Sequence, residues 1–229
     1  MTTAAEEKEK KIRQKQEKEE ERLYLISRYE RELYDRGFSL ICGIDEVGRG
    51  PLAGPVVAAA VILPVGCKIE GIDDSKKLSE AKRYRLAEVI KEQAIAWAVG
   101  SCNHIHIDQK NILESTRCAM KKAVESLIVR PEHLLIDAVH LEGIGIPQTA
   151  IIKGDSLSIS IAAASIVAKC HRDRWMEKFA LLYPGYGFEK NKGYGTALHL
   201  QQISLQGVCP IHRKSFLIKS LQSVSGGNK

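Results

Sequence analysis

The chain has 229 residues, 44% of them hydrophobic, and a formal net charge of +6 at pH 7. That is enough for one sizeable core, and no run of 18 or more apolar residues is present to cross a bilayer. The charged N-terminus has no apolar signal region, so a cytoplasmic location is expected, and the scattered Cys42, Cys67, Cys102, Cys118, Cys170 and Cys209 read as reduced thiols rather than zinc ligands or disulfides.

Residues 1–22 balance seven Lys/Arg against seven Glu, so the whole excess, 27 basic against 21 acidic residues, lies in 23–229. A mildly basic body suits a polyanionic partner, although many enzymes share that balance. Alternation of Glu with Lys and Arg over 5–22 predicts a solvated helix supported by i,i+4 pairs of about 0.2–0.5 kcal/mol each. With nothing to bury, such a helix is marginal or disordered. Leu23, Ile26, Tyr29 and Leu33 then make an apolar stripe that can dock on the body, and Gly37 fits its stop. Residues 1–37 therefore read as a charged extension and 38–229 as the main domain.

Leu40, Ile41 and Ile44 predict a buried strand ending on Asp45 and Glu46, followed by a glycine-rich turn and a second strand from Val56 to Leu63. Adjacent strand residues point to opposite faces, so both acids serve one site only if the strand ends there. The turn Gly48-Arg49-Gly50-Pro51-Leu52-Ala53 formally fits a dinucleotide fingerprint, but that requires a helix, which Gly54 and Pro55 would interrupt. Ser79 predicts the cap of a helix over 80–92 with Leu86, Val89 and Ile90 inward. Residues 94–99 read as a third strand. Asp108 is expected to cap the next helix, whose buried face holds Ile112, Met120, Ala123, Val124 and Leu127.

After Pro131, Leu134-Leu135-Ile136 predicts a short strand ending on Asp137, and Ala150-Ile151-Ile152 another, followed by Lys153-Gly154-Asp155. A helix from about Ser158 to Phe179 carries small residues for close packing. Residues 183–196 read as an ordered loop, and Thr196 starts a final amphipathic helix with Leu198, Leu200, Ile203 and Leu205, stopped by Gly207. The order predicts an α/β fold: a mixed sheet flanked by helices, with a C-terminal helical region.

Apolar runs thus lead into Asp45 with Glu46, Asp137 and Asp155, and open α/β sheets place ligands at the carboxyl ends of their strands. Converging carboxylates repel unless protonated or neutralised, and oxygen-only ligands match hard divalent ions such as Mg²⁺ or Mn²⁺. Two such ions about 3.5–4 Å apart can serve phosphodiester hydrolysis. Taken singly, each acid is as well explained as a turn or cap residue. No P-loop, G-x-S-x-G elbow or H-E-x-x-H spacing is present. The histidines are read as core or surface residues. Lys76, Lys77 and Lys192 are candidate phosphate contacts, with a solvated surface role the bland alternative. A non-catalytic nucleic-acid module would keep the basic surface without needing the acids.

Residues Gly43 to Val56 (GIDEVGRGPLAGPV) resemble the signature of type 2 ribonuclease H, the bacterial ribonuclease HII family. The likeness continues through Asp74 to Leu78, Leu135 to Asp137, Lys153 to Asp155, Ala163 to Lys169, Arg172 to Arg174, Lys192 to Thr196 and Pro210 to Arg213. It spans about 38–217. The resemblance implies a ribonuclease H-like sheet and a metal-dependent endoribonuclease acting on RNA–DNA hybrids and on ribonucleotide-containing duplex DNA, in replication and ribonucleotide excision repair. It implies Asp45, Glu46, Asp137 and Asp155 as catalytic and metal-binding acids, with two Mn²⁺ or Mg²⁺ ions. It also implies a turn of Gly48, Arg49 and Gly50 on the ribonucleotide and Tyr194 beside its 2′-hydroxyl. Type 3 enzymes share that fold but usually carry a larger N-terminal sheet domain, which residues 1–37 cannot form. A monomer with no membrane partner is expected, with the N-terminal extension available to a weak partner.

Overall fold

A computed structural model describes residues 4–217; the part of the expected main domain beyond 217 lies outside the described residues. Two helices, α1 (Ala4–Ile26) and α2 (Arg28–Asp35), precede strands β1 (Ile41–Val47) and β2 (Val56–Ile62). Next come α3 (Glu80–Gln93), β3 (Ala96–Cys102), α4 (His104–Lys110), α5 (Ile112–Glu125), β4 (His133–Asp137) and β5 (Gln148–Ile151). A 3-10 turn, Gly154–Ser156, leads into α6 (Ile159–Leu182), α7 (Phe188–Asn191) and α8 (Ala197–Gln206). The five strands lie in the order β3-β2-β1-β4-β5. β1 pairs antiparallel with β2 and parallel with β4, so the sheet is mixed, as the element order predicted.

β2 is buried along its whole length, and its alternation supplies two cores. Ala59 and Val61 join residues of α6, α3 and the end of α1, while Val56, Ala58, Ala60 and Ile62 join residues of α5, β3 and β4. The long α6 lies almost on the backbone of β1. A Cβ placed on Gly43 would fall 2.0 Å from the carbonyl carbon of Ser160, so only glycine allows this approach. The approach brings the first turns of α6 to the end of β1 where the acids stand.

Charged α1 is helical from Ala4, with Arg13 on Glu17 at 3.1 Å, and is exposed over most of its length. Its last turns are tied down: Gly71 N–H donates to Glu19, which also takes Arg22, and Leu23 and Ile26 are buried. In α2, Leu33 packs with Ile41, Leu135 and Ile161, and buried Glu30 accepts from the Ser158 hydroxyl and Ser160 N–H at the start of α6. Deleting residues 1–18 should therefore shift Tm by no more than about 2–4 °C, the change that ~1 kcal/mol produces in a chain of this size. A thermal melt that falls by many times that amount would reveal packing that the exposed residues do not show.

Some expectations change. The third strand begins at Ala96, because Ala94 ends α3. Asp108 does not cap the helix that follows it: Asn103 and Asn111 cap α4 and α5, while Asp108, inside α4, accepts Lys214 N–H, Ser215 N–H and the Ser215 hydroxyl, where the chain turns helical again. Ile152 lies past β5 and is 78% exposed. The loop expected over 183–196 contains α7. Leu198, Leu200 and Leu205 of α8 are all exposed, and the buried residue of that helix is His199.

Candidate active site

β1 loses one neighbour before the other. Its pairing with β4 stops at Ile44 opposite Ile136, while its pairing with β2 runs on to Val47 opposite Val57. The strand therefore does not end at the acids; it opens on one side. Asp45 shares the α6 face with Gly43, and Asp137 shares it with Leu135, while Glu46 starts from the other face and reaches round the open side. Carboxylate oxygens of Asp45, Glu46 and Asp137 come within 4.8 Å of one another.

Burial raises all three carboxyls. Asp45 is pushed well above the usual carboxylate range by burial, then by Glu46 and Asp137, while a Ser165 hydrogen bond works the other way. Burial also raises Glu46, against the opposing charge of Arg49, whose guanidinium is 3.4 Å from Oε1. Asp137 is raised by burial, and Gly154 N–H donating to Oδ1 at 2.8 Å partly opposes this. Oε2 of Glu46 is buried with no hydrogen-bond partner among the described residues. An orphaned carboxylate oxygen beside two crowded acids fits a divalent cation, the hard partner that satisfies such a donor set.

Asp155 stands slightly apart. It sits on the 3-10 turn rather than at a strand end, and Lys76 Nζ donates to its Oδ2 at 3.1 Å. Lys76, expected to be a phosphate contact, is thus on an acid. Lys77 pairs with Asp73 at 3.1 Å. Lys192 is largely buried against Glu177 at 2.6 Å, and its carbonyl accepts from Arg172. A second cluster, Cys102, His106 and Cys118, is also within 4.8 Å. There a cation is already in place, with Lys122 Nζ 3.9 Å from Cys102 Sγ, and His106 Nδ1 is engaged by Ser115. No metal role is assigned to it.

The turn from Gly48 to Pro55 is held by two fully buried arginines to which the sequence reading assigned no role. Arg172 donates to the carbonyls of Pro55 (3.0 Å), Lys192 (2.8 Å) and Ala53 (3.1 Å). Arg213 donates to those of Gly54 (2.9 Å), Arg49 (3.0 Å) and Gly48 (2.6 Å). Burial lowers both guanidiniums, Arg172 to about 10 and Arg213 to about 9. Gly48 has φ +94°, and a Cβ there would meet Arg172 Nε at 2.2 Å. Leu52 N–H donates to the Gly193 carbonyl at 2.8 Å, which brings the loop of Tyr194 alongside. A Cβ on Gly50 would lie 3.6 Å from Tyr194 Cε1, and Tyr194 is 43% exposed. Gly48, Arg49, Gly50 and Tyr194 are therefore brought together, and Arg49 also touches Glu46.

The family model described as ribonuclease HII matches residues 42–219. Ribonuclease HII of Clostridioides difficile (strain 630) is 56% identical over 200 residues, 87% of this chain and 78% of that protein. A chain in the PCNA–RNase HII complex from Archaeoglobus fulgidus superposes with a TM-score of 0.64 at 28% identity, covering 76% of this chain and 94% of that one. Ribonuclease H2 from Pyrococcus horikoshii OT3 superposes with a TM-score of 0.66 over 82% of this chain and 99% of that one, and at 24% identity it supports the fold alone. From the family match and the identity over most of its length, the chain belongs to the ribonuclease HII family.

Proposed function

We propose that this chain hydrolyses the RNA strand of RNA–DNA hybrids and incises 5′ of a single ribonucleotide embedded in duplex DNA. The observation that carries the reading is the Asp45, Glu46 and Asp137 cluster, with its orphaned Glu46 oxygen, linked through Arg49 to a turn that faces Tyr194. The three acids, with Asp155 close by, would hold two Mg²⁺ or Mn²⁺ ions, which supply charge to activate water and to stabilise the leaving oxygen. Water adds at phosphorus and the P–O3′ bond breaks, leaving a 3′-hydroxyl on the preceding deoxynucleotide and a 5′-phosphate on the ribonucleotide. Lys76 and Lys77 exchange a carboxylate for a backbone phosphate when the duplex binds, whereas Lys192 stays inside.

Phosphate contacts carry affinity without sugar identity, so discrimination needs a group that gains only from a 2′-hydroxyl. The backbone of the Gly48–Gly50 turn and the exposed phenol of Tyr194 are such groups, and the ring packs on the neighbouring sugar. Tyr194→Phe should slow cleavage at a lone ribonucleotide by about tenfold, the factor for the ~1.4 kcal/mol that a lost hydrogen bond is worth. Tyr194→Ala, which also removes the ring, should be slower still. End-labelled duplex with one ribonucleotide reads both rate and cut position. Parental speed in Tyr194→Ala, or a cut on the 3′ side, would sink the reading.

A further inference from the structure

Behind Tyr194 lies a buried pair of imidazoles that the proposed chemistry does not use. His199, in the first turn of α8, is 0% exposed, and His212 is 2% exposed. The rings of Tyr186 and Phe188 pack around both. The hydrogen bonds fix their tautomers one after another. Cys209 N–H donates to His212 Nδ1 at 2.9 Å. The Cys209 thiol (3.1 Å) and carbonyl oxygen (3.2 Å) also approach Nδ1, but the N–H makes the shortest contact and can only donate, so Nδ1 is bare and the neutral ring carries its proton on Nε2. That proton points at His199 Nε2, 3.0 Å away, which must accept. The proton of His199 is therefore on Nδ1, and it donates to the Tyr194 carbonyl at 2.8 Å. Burial favours the neutral form of both rings.

We infer that His199 and His212 form a positioning relay that fixes the backbone of Tyr194 to the same chain segment that anchors the Gly48–Gly50 turn. His212 and Arg213 are neighbours in sequence. One sets the Tyr194 carbonyl through His199, and the other takes the carbonyls of Gly48 and Arg49. A bridge between His212 and Ala53 registers that segment on the turn itself. The two halves of the ribose reader thus share one mount. Thr196 N–H also donates to the Tyr194 carbonyl, at 2.8 Å, so the oxygen is held from two sides while the phenol stays exposed.

This inference rests on the reading of Tyr194 given above, and two measurements separate them. The first is ¹⁵N NMR of histidine-labelled full chain. His199 should be in the Nδ1–H tautomer and His212 in the Nε2–H tautomer. His199 found as Nε2–H overturns the relay, whatever Tyr194 does. The second is a double-mutant cycle on duplex with one ribonucleotide. His199→Gln, which removes the donor at Nδ1, should lower kcat/KM about tenfold, yet cost less than about twofold more in the Tyr194→Ala background, since coupled residues are non-additive. His199→Asn, whose amide nitrogen stands near Nδ1, should rescue most of the loss. Equal costs in both backgrounds would mean that His199 only supports the fold, and would overturn the relay. If Tyr194→Ala alone costs nothing, the reading of Tyr194 fails, and the tautomers still decide the relay.

Discussion

Asp137→Asn is expected to reduce hybrid cleavage by on the order of 10²–10³ or more, the range for losing one preorganised electrostatic group, while the fold stays intact. The amide keeps an oxygen for Gly154 N–H, which now donates to Oδ1 at 2.8 Å, so the turn behind it is preserved. What disappears is one charge of a crowded set. The carboxyls of Asp45, Glu46 and Asp137 are all raised in the folded state, chiefly by burial. A raised acid binds its proton more tightly folded than unfolded. That contribution to stability is complete below the ordinary carboxylate range and is lost as pH rises through the folded values. At neutral pH the metal-free cluster therefore costs stability. Asp45→Asn and Asp137→Asn should melt no lower than the parent without metal, and Mn²⁺ should raise Tm less in each variant than in the parent. Parental cleavage, or a melt several degrees lower, would make these acids structural.

Arg213→Ala should have the largest effect on stability. The guanidinium is fully buried and spends all three nitrogens on carbonyls of one turn, with no carboxylate paired to it among the described residues. Removing it leaves the Gly48, Arg49 and Gly54 carbonyls without that donor. Hydrogen bonds to a charged donor contribute about 1.5–3 kcal/mol each and do not add fully, so a total near 3–5 kcal/mol is expected. For a chain of this length that corresponds to a Tm roughly 6–20 °C lower. Arg213→Lys should rescue little, because one ammonium cannot reproduce a planar fork aimed at three oxygens. Urea unfolding measures both variants. A lysine variant within about 1 kcal/mol of the parent would show that charge, not the fork, holds the turn.

The sheet was legible because its signals are local. Apolar runs such as Leu134 to Ile136 end on acids, and Ser79, Ser158 and Thr196 cap the helices they precede. What stayed hidden depends on long-range partners. Arg213 reaches Gly48 across 165 positions, and Asp108 resembled a cap while its donors stood at Lys214 and Ser215. In α8 the leucine pattern pointed to a buried stripe, but the helix is anchored by His199, a residue that hydrophobic periodicity does not register. Lys192 resembled a surface cation because nothing nearby in sequence reveals Glu177, and the ion pair of exposed Lys76 with Asp155 was hidden for the same reason.

The shared mount at His212 and Arg213 also bears on the order in which the protein is made. Synthesis runs from the N-terminus, so the strands carrying Asp45, Glu46 and Asp137, and the helix that covers them, leave the ribosome first. The Gly48–Gly50 turn has no Arg213 fork, and Tyr194 no imidazole behind it, until residues 212 and 213 follow. On the proposed reading, a nascent chain thus gathers its acids well before the parts assigned to the ribose come together.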